Sequence, residues 1–134
     1  MKYLLDTNIC IYIIRQKPAS VLARFNEHAV GEIGVSTITV AEMSYGVQKS
    51  SRVEQNEQAL LQFLAPLVIA EFDFAAALAY GQIRTDLASR GTPIASLDTL
   101  IAAHGLALGA TVVTNNSREF ARVPGLRVEN WAGD

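Results

Sequence analysis

Three carboxylates fall at positions where catalytic groups collect in α/β proteins. Asp6 directly follows Tyr3–Leu5, an apolar segment typical of a buried strand. Glu42 lies one turn into the helix predicted after a second strand, and Asp98 lies in the first turn of a later helix. Because chemistry in open parallel sheets takes place just beyond the carboxyl ends of the strands, we expect these three side chains to meet at one edge of the sheet.

Further polar groups follow a later strand, predicted at Thr111–Thr114. Asn115, Asn116 and Glu119 come directly after it. Carboxylates that approach one another closely either raise each other's pKa or bind a cation. Mg²⁺ takes oxygen ligands and is typically held by one or two carboxylates, with waters and substrate phosphate completing its shell. A bound ion can generate hydroxide and polarise a phosphoryl oxygen, so the cluster predicts metal-dependent phosphodiester hydrolysis.

Each acidic residue also has a simpler structural explanation. Asp6 could cap the helix that follows it, and Asp98 could complement the positive end of its own helix. Glu42 is harder to explain in this way, because it shares a helical face with Ile38 and Tyr45. An unpaired charge buried on an apolar face is unfavourable, so Glu42 predicts a partner group or an ion.

The elements that must position these groups alternate along the chain. The pattern predicts strands at Tyr3–Leu5, Ile33–Val35, Val68–Ala70, Thr111–Thr114 and Leu126–Glu129. It predicts helices at Asn8–Arg15, Thr39–Lys49, Arg52–Leu64 and Asp73–Ser89. Another helix should begin at Pro18, and one more should run from an N-cap at Ser96 to Leu108. A single helical turn is predicted at Arg118–Ala121. Such alternation indicates a sheet covered by helices on both faces. We therefore expect a three-layer α/β/α fold with a mostly parallel sheet of four or five strands, in a single domain spanning residues 1–134.

The composition restricts the possible classes of function. Hydrophobic residues make up 50% of the chain, yet the longest apolar runs, Ile9–Ile14 and Leu64–Ala70, are too short to cross a bilayer. The apolar start of the chain stops at Asp6, which argues against a signal peptide. The lone Cys10 cannot form an internal disulfide, so we expect a cytoplasmic protein without membrane association. The net charge of −2 is unlike that of proteins that bind nucleic acid by a basic excess, so any such affinity must come from local charge or bound metal.

Other functions fit parts of the same pattern. Asp6 could be the nucleophile of a phosphatase or phosphotransferase, although such sites usually carry a second acid two residues on, where this chain has Asn8. A non-catalytic RNA- or protein-binding module could keep the same fold, but the intact set of acids argues against it. A 5′ nuclease acting on DNA could share the acidic site, but the chain is short for the extra DNA-binding elements. His28 and His104 lack metal-binding spacing, so zinc is not indicated.

Six segments, spread in order along nearly the whole chain, form a recognisable pattern. They are Leu4–Asn8, Thr39–Met43 with Gly46 after it, Gly91–Ile94, Asp98–His104, Val113–Phe120 and Gly125–Trp131. In this order the segments resemble the PIN-domain ribonucleases, and most closely the VapC toxins of bacterial toxin–antitoxin pairs.

This resemblance implies a Mg²⁺-dependent endoribonuclease, with Mn²⁺ able to substitute, that cleaves tRNA or another structured RNA and thereby inhibits translation. It also implies a homodimer that is silenced by a VapB-type antitoxin. By position, Asp6 and Asp98 would be the principal metal ligands. Glu42 would complete the acidic site or position the attacking water.

The fourth acidic position departs from many relatives. The loop after the strand offers the neutral side chains Asn115 and Asn116, and the next carboxylate is Glu119. The resemblance also implies that Arg118 contacts a phosphate, with Arg15 and Lys17 as weaker candidates. It further implies that the antitoxin docks in a groove of the early helices. The candidates to line that groove are Val21, Phe25, Leu60 and Leu64, although packing in the core is the simpler explanation for at least half of them.

Overall fold

A sheet of five parallel strands lies at the centre of residues 1–133, the part of the chain that the computed structural model describes. The strands are β1 (Tyr3–Leu5), β2 (Ile33–Ser36), β3 (Val68–Ala70), β4 (Thr111–Val113) and β5 (Val128–Glu129), in the order β3-β2-β1-β4-β5. β1 is central, and its Leu5 pairs with Val35 on one side and with Val113 on the other. The predicted parallel α/β sheet is confirmed, with five strands.

Helices cover both faces of this sheet. They are α1 (Thr7–Arg15), α2 (Ala19–Asn26), α3 (Thr37–Gln48), α4 (Val53–Leu64), α5 (Phe74–Ser89), α6 (Ser96–Leu108) and α7 (Ser117–Phe120). The prediction of Ser96 as an N-cap is wrong. Ala95 occupies the cap position with an extended backbone, and its carbonyl accepts a hydrogen bond from the Thr99 N–H at 2.9 Å. Within residues 1–133, the helices are too short or too polar to cross a membrane.

Two separate apolar cores lie on opposite faces of the sheet, because successive side chains of a strand point to opposite sides. Leu5 and Val113 belong to the core shared with α1, α2, α3 and α4. Their neighbours Leu4 and Val112 belong to the core shared with α5 and α6. The three-layer α/β/α arrangement is therefore confirmed, and it leaves the carboxyl edge of the sheet open between the layers.

Gly105 lets α6 approach the sheet closely. A Cβ atom at this position would lie 2.4 Å from Val112 Cγ2, whereas a Cβ at Gly81 on α5 would meet nothing within 4 Å. We expect Gly105→Ala to lower the free energy of unfolding by about 1–3 kcal/mol, because overpacking displaces the helix. Gly81→Ala should raise it by up to about 1 kcal/mol, because alanine favours the helix. Urea denaturation measures both, and equal effects of the two substitutions would contradict the close contact.

Candidate active site

Asp6 is held at the carboxyl edge of the sheet by its own backbone and by the helix that follows. Its N–H donates to the Val113 carbonyl at 3.0 Å, which ties the end of β1 to β4. The Ile9 N–H donates to Asp6 Oδ1 at 3.0 Å, so the side chain caps α1. The Thr114 side chain also lies beside this carboxylate. Asp6 is therefore a helix cap, as its simpler explanation predicted, and it is also fixed in orientation.

A polar pocket lies beside Asp6, where the strand order reverses. The chain adds β2 and β3 on one side of β1 and then returns to add β4 and β5 on the other, and ligands of open α/β sheets bind at such a switch point. The pocket has a volume of about 260 Å³ and is lined by Asp6, Asn8, Asp98, Asn115 and Asn116. The structure thus brings four of the predicted site residues to one cavity.

Asn116 connects the carboxylate of α6 with the carboxylate of α7. Its Nδ2 donates to Asp98 Oδ2 at 3.2 Å and to Glu119 Oε2 at 3.0 Å. Asp98 lies in the first turn of α6 and Glu119 lies in α7. A single carboxamide therefore holds the two carboxylates near each other, although Glu119 does not line the pocket.

Glu42 approaches the same edge from α3. Its Oε1 accepts a hydrogen bond from the Thr7 hydroxyl at 2.7 Å. The interpretation that Glu42 interrupts a buried apolar face is wrong, because Tyr45 is 67% exposed. The buried residues of α3 are instead Thr39, Met43 and Val47. Glu42 is half-buried beside that face, and the predicted partner group is Thr7.

The acidic side chains influence one another electrostatically. Asp6 is only 4% exposed, and burial raises its pKa from 3.8 to about 6, with smaller contributions from the charges of Asp98 and Glu42. Burial also raises the pKa of Asp98, and the charges of Glu119 and Glu42 act in the same direction. Carboxylates that raise one another's pKa are a mark of functional sites, and a cation among them would relieve the repulsion.

The donor set suits a hard divalent cation that keeps part of its water shell. The lining of the pocket consists of carboxylates and carboxamides, and such oxygen groups are the ligands that Mg²⁺ prefers. Among residues 1–133, no three histidine, cysteine or acidic side chains lie close enough to hold one ion together. The geometry therefore fits an ion held by one or two carboxylates rather than a closed cage of protein ligands.

His104 links the elements that carry two of the acids. It is 1% exposed, and its Nδ1 lies 2.8 Å from Ser36 Oγ. Ser36 in turn caps α3 by accepting from the Ile38 N–H at 3.1 Å. Burial lowers the pKa of His104, which favours the neutral ring. His104 is thus a packed residue, and it connects α6 with the start of α3.

Some predicted contacts lie elsewhere. Arg118 is exposed on α7 and does not line the acidic pocket. A groove of about 300 Å³ runs beside Glu42 between α1, α3 and α4, and of the four residues predicted to line it only Leu60 does so. Val21 and Leu64 are buried in the core, as the simpler explanation for these residues predicted.

Three polar neighbours of the acids were not among the site residues predicted from the sequence. Thr7 donates to Glu42, Asn8 lines the pocket, and Thr114 lies beside Asp6. Thr7 and Asn8 could have been predicted as site residues, because they lie in the first helical turn after Asp6. Thr114 carried no signal, because threonine is common at the end of a strand.

Comparison with known proteins identifies the family. Residues 3–126 match the family model described as the PIN domain. The chain is 45% identical over 132 residues to the tRNA(fMet)-specific endonuclease VapC of Shigella flexneri, covering 98% of this chain and 99% of that protein. It superposes on a chain of the DNA-bound VapBC structure from Salmonella typhimurium with a TM-score of 0.92, at 43% identity and 98% coverage of both chains. For VapBC2 of Rickettsia felis, bound to a promoter DNA fragment, the TM-score is 0.91, at 44% identity, with 98% of this chain and 99% of that chain covered. The chain therefore belongs to the PIN-domain family and, within it, to the VapC ribonucleases.

Proposed function

We propose that this ribonuclease is a Mg²⁺-dependent toxin that cleaves tRNA, with Asp6 and Asp98 as its metal ligands. The observation that carries the proposal is the pair of carboxylates lining one pocket at the switch point of the sheet. The raised pKa of Asp6 indicates that the protein alone does not stabilise this charge. Mn²⁺ should substitute, because it accepts the same oxygen ligands.

The residues around the pocket divide the remaining tasks. A divalent ion held by Asp6 and Asp98 would activate a water molecule for attack and would neutralise charge on the phosphate. Asn116 holds Asp98 and Glu119 in place through its carboxamide. Glu42 accepts the Thr7 hydroxyl at Oε1, which leaves Oε2 to orient the attacking water and to accept its proton.

The substrate and partner are inferred from the relatives. The Shigella flexneri protein is named as specific for tRNA(fMet), and we propose the same tRNA as the substrate here, cut in the cytoplasm so that translation is inhibited. The solved VapBC structures contain toxin–antitoxin complexes, and we propose a VapB-type antitoxin as the partner. The groove beside Glu42, lined in part by Ile11, Ile14 and Leu60, would accept an apolar segment of that antitoxin.

Two further properties complete the proposal. We propose that residues 1–134 act as a single domain, because Trp131, beyond the segment that matches the family model, is 2% exposed and belongs to the core of α1 to α4.

We also propose a homodimer. Phe74 and Leu78 on α5 are 77% and 56% exposed, which suits a contact between subunits.

The alternative of a phosphatase with Asp6 as nucleophile is less well supported. Within the described residues 1–133, the lining of the pocket includes no lysine to neutralise a phosphoryl group. Such sites also usually carry a second acid two residues after the nucleophile, where this chain has Asn8.

The proposal is tested with the purified full chain, freed of any partner protein. We expect incubation with total bacterial RNA and Mg²⁺ to give endonucleolytic cuts at a few sites, foremost in tRNA(fMet), mapped by primer extension. Excess chelator should stop the cutting, and Mn²⁺ should restore it. Cleavage that continues in the chelator would contradict metal dependence, and an absence of cuts in every RNA would contradict the assignment of the substrate.

A further inference from the structure

The acidic pocket alone does not explain how RNA is held. Asp6, Asp98, Glu42 and Glu119 would repel the phosphate backbone, and the whole chain carries a net charge of −2. Affinity for RNA normally comes from lysine and arginine side chains that neutralise phosphates. Cations placed close to the pocket are therefore needed if the site is to accept a polynucleotide.

A second cleft adjoins the acidic pocket through Asn115. It has a volume of about 510 Å³ and is lined by Tyr12, Arg15, Lys17, Pro18, Asn115 and Ala132. Asn115 also lines the acidic pocket, so the two cavities share one side chain as a wall. Among residues 1–133, the lining of this basic cleft includes two cations and no carboxylate.

Arg15 and Lys17 are presented by the capped end of α1. Gln16 between them takes a left-handed backbone with φ of 60°. Its N–H donates to the Ile13 carbonyl at 3.1 Å, and the Lys17 N–H donates to the Tyr12 carbonyl at 3.1 Å. Both charged side chains are exposed and, within residues 1–133, neither takes part in the ion pairs that engage Lys2, Arg24 and Arg90. Their charges are thus available to a ligand.

Tyr12 supplies an aromatic wall whose position is fixed. Its hydroxyl accepts a hydrogen bond from Asn115 Nδ2 at 3.2 Å, and Asn115 Oδ1 accepts from Asn130 Nδ2 at 3.3 Å. The ring is half-buried and lines the cleft. Single-stranded nucleic acids bind where a cationic groove follows the backbone and an aromatic side chain stacks on a base, and sequence-specific recognition of RNA relies on such unpaired bases.

We propose that the basic cleft of Tyr12, Arg15 and Lys17 binds the unpaired nucleotide next to the scissile phosphate. The phosphate of that nucleotide contacts the two cations, and its base packs on Tyr12. Asn115 marks the boundary at which the strand passes from the cleft to the acidic pocket. This inference rests on the proposed function and identifies single-stranded RNA as the form of the substrate that enters the site.

The test measures binding without cleavage. The full chain carrying Asp98→Asn is titrated into fluorescein-labelled oligouridylate and into a tRNA(fMet) transcript at fixed Mg²⁺ and several KCl concentrations, and anisotropy gives the affinity. Arg15→Gln and Lys17→Gln should each weaken binding and reduce the slope of log K against log[KCl] by about 0.7, the contribution of one contact to a single-stranded phosphate. The matched control is Lys2→Gln, which removes a charge before β1, at the opposite edge of the sheet, and should change neither quantity.

The contribution of Tyr12 is separated by two substitutions. Tyr12→Phe keeps the ring and should bind nearly as the parent does. Tyr12→Leu should bind at least about 5-fold more weakly, the lower limit for one stacked base. Thermal melts of each variant show whether the fold is retained. Equal affinity of the phenylalanine and leucine variants, with both folded, would overturn the stacking.

The remaining outcomes separate this inference from the proposed function. If the wild-type chain cuts RNA but Arg15→Gln and Lys17→Gln bind as Lys2→Gln does, the cleft is not an RNA site and the nuclease proposal stands. If the variants lose RNA affinity while the wild-type chain cuts nothing, the cleft stands and the catalytic proposal fails. If the variants keep RNA affinity and lose only the copurified antitoxin, the cleft is a protein contact and the inference is wrong.

Discussion

Replacement of Asp98 by asparagine is expected to lower the rate of tRNA cleavage by at least about a thousand-fold. Such a factor corresponds to about 4 kcal/mol of transition-state stabilisation, which is within the contribution of a metal ion to phosphoryl chemistry. Asp98 lines the pocket opposite Asp6, and its Oδ2 accepts from Asn116. The substitution keeps the size of the side chain but removes the charge that would hold the ion. Single-turnover cleavage of tRNA(fMet) in Mg²⁺ measures the effect.

The matched control for this substitution is Asp86→Asn on α5. Asp86 pairs with Arg90 on the surface, and an exposed ion pair contributes at most about 1 kcal/mol to stability. The control should therefore cleave at the wild-type rate. Calorimetric titration with Mn²⁺ gives a second measurement, because the Asp98 variant should lose the binding that the control keeps. Wild-type cleavage by the Asp98 variant would remove Asp98 from the site.

Replacement of Asp6 by asparagine is expected to stabilise the metal-free protein while abolishing cleavage. Asp6 is 4% exposed and its pKa is raised to about 6, so the folded protein holds this proton more tightly than the unfolded chain does. A difference of about two pKa units corresponds to about 3 kcal/mol of lost stability when the group is ionised. Asparagine caps helices as well as aspartate does, so the Ile9 contact should be kept. We expect a gain of about 1–3 kcal/mol near pH 7.5.

The gain should depend on pH in a direction that the raised pKa determines. A carboxyl group whose pKa is higher in the folded state favours folding at low pH, and that contribution disappears as the pH rises through the folded-state value. The stability advantage of the Asp6 variant should therefore be small near pH 4, grow between about pH 4 and about pH 6, and level off above about pH 6. Added Mg²⁺ should stabilise the wild-type protein and leave the variant unchanged.

Asp73→Asn is the matched control for Asp6→Asn. Asp73 caps α5 by accepting from the Ala76 N–H at 3.0 Å, the same contact that Asp6 makes with Ile9. Asp73 is exposed, so its substitution should change stability by less than about 0.5 kcal/mol, as is usual at the surface. Urea denaturation across the pH range compares the two variants. An Asp6 variant that is less stable than wild type near pH 7.5 would show that the buried charge is not destabilising.

The elements of the fold could be predicted from the sequence because each is encoded locally. Short apolar runs such as Tyr3–Leu5 and Val68–Ala70 were predicted with their observed bounds. Gly109 directly follows the predicted end of α6 at Leu108 and has the left-handed φ of 68° that ends a helix there. The sequence predicted where helices and strands begin and end better than it predicted which face of a helix is buried. Tyr45 was assigned to an apolar stripe with Ile38 but is exposed, because the packing of α3 on the sheet selects another face.

The sequence by itself determined which polar side chains form the site and that they lie at the carboxyl edge of the sheet. It could do so because the end of a strand and the start of a helix depend on residues that are neighbours along the chain. Only the tertiary structure decided which groups share a cavity. The order β3-β2-β1-β4-β5 places β4 beside β1, and this pairing brings Asn115 and Asn116 to Asp6 and Asp98. The same pairing puts Tyr12 within hydrogen-bond distance of Asn115. Pairing between strands so distant along the chain depends on packing over the whole sheet, which no local segment encodes.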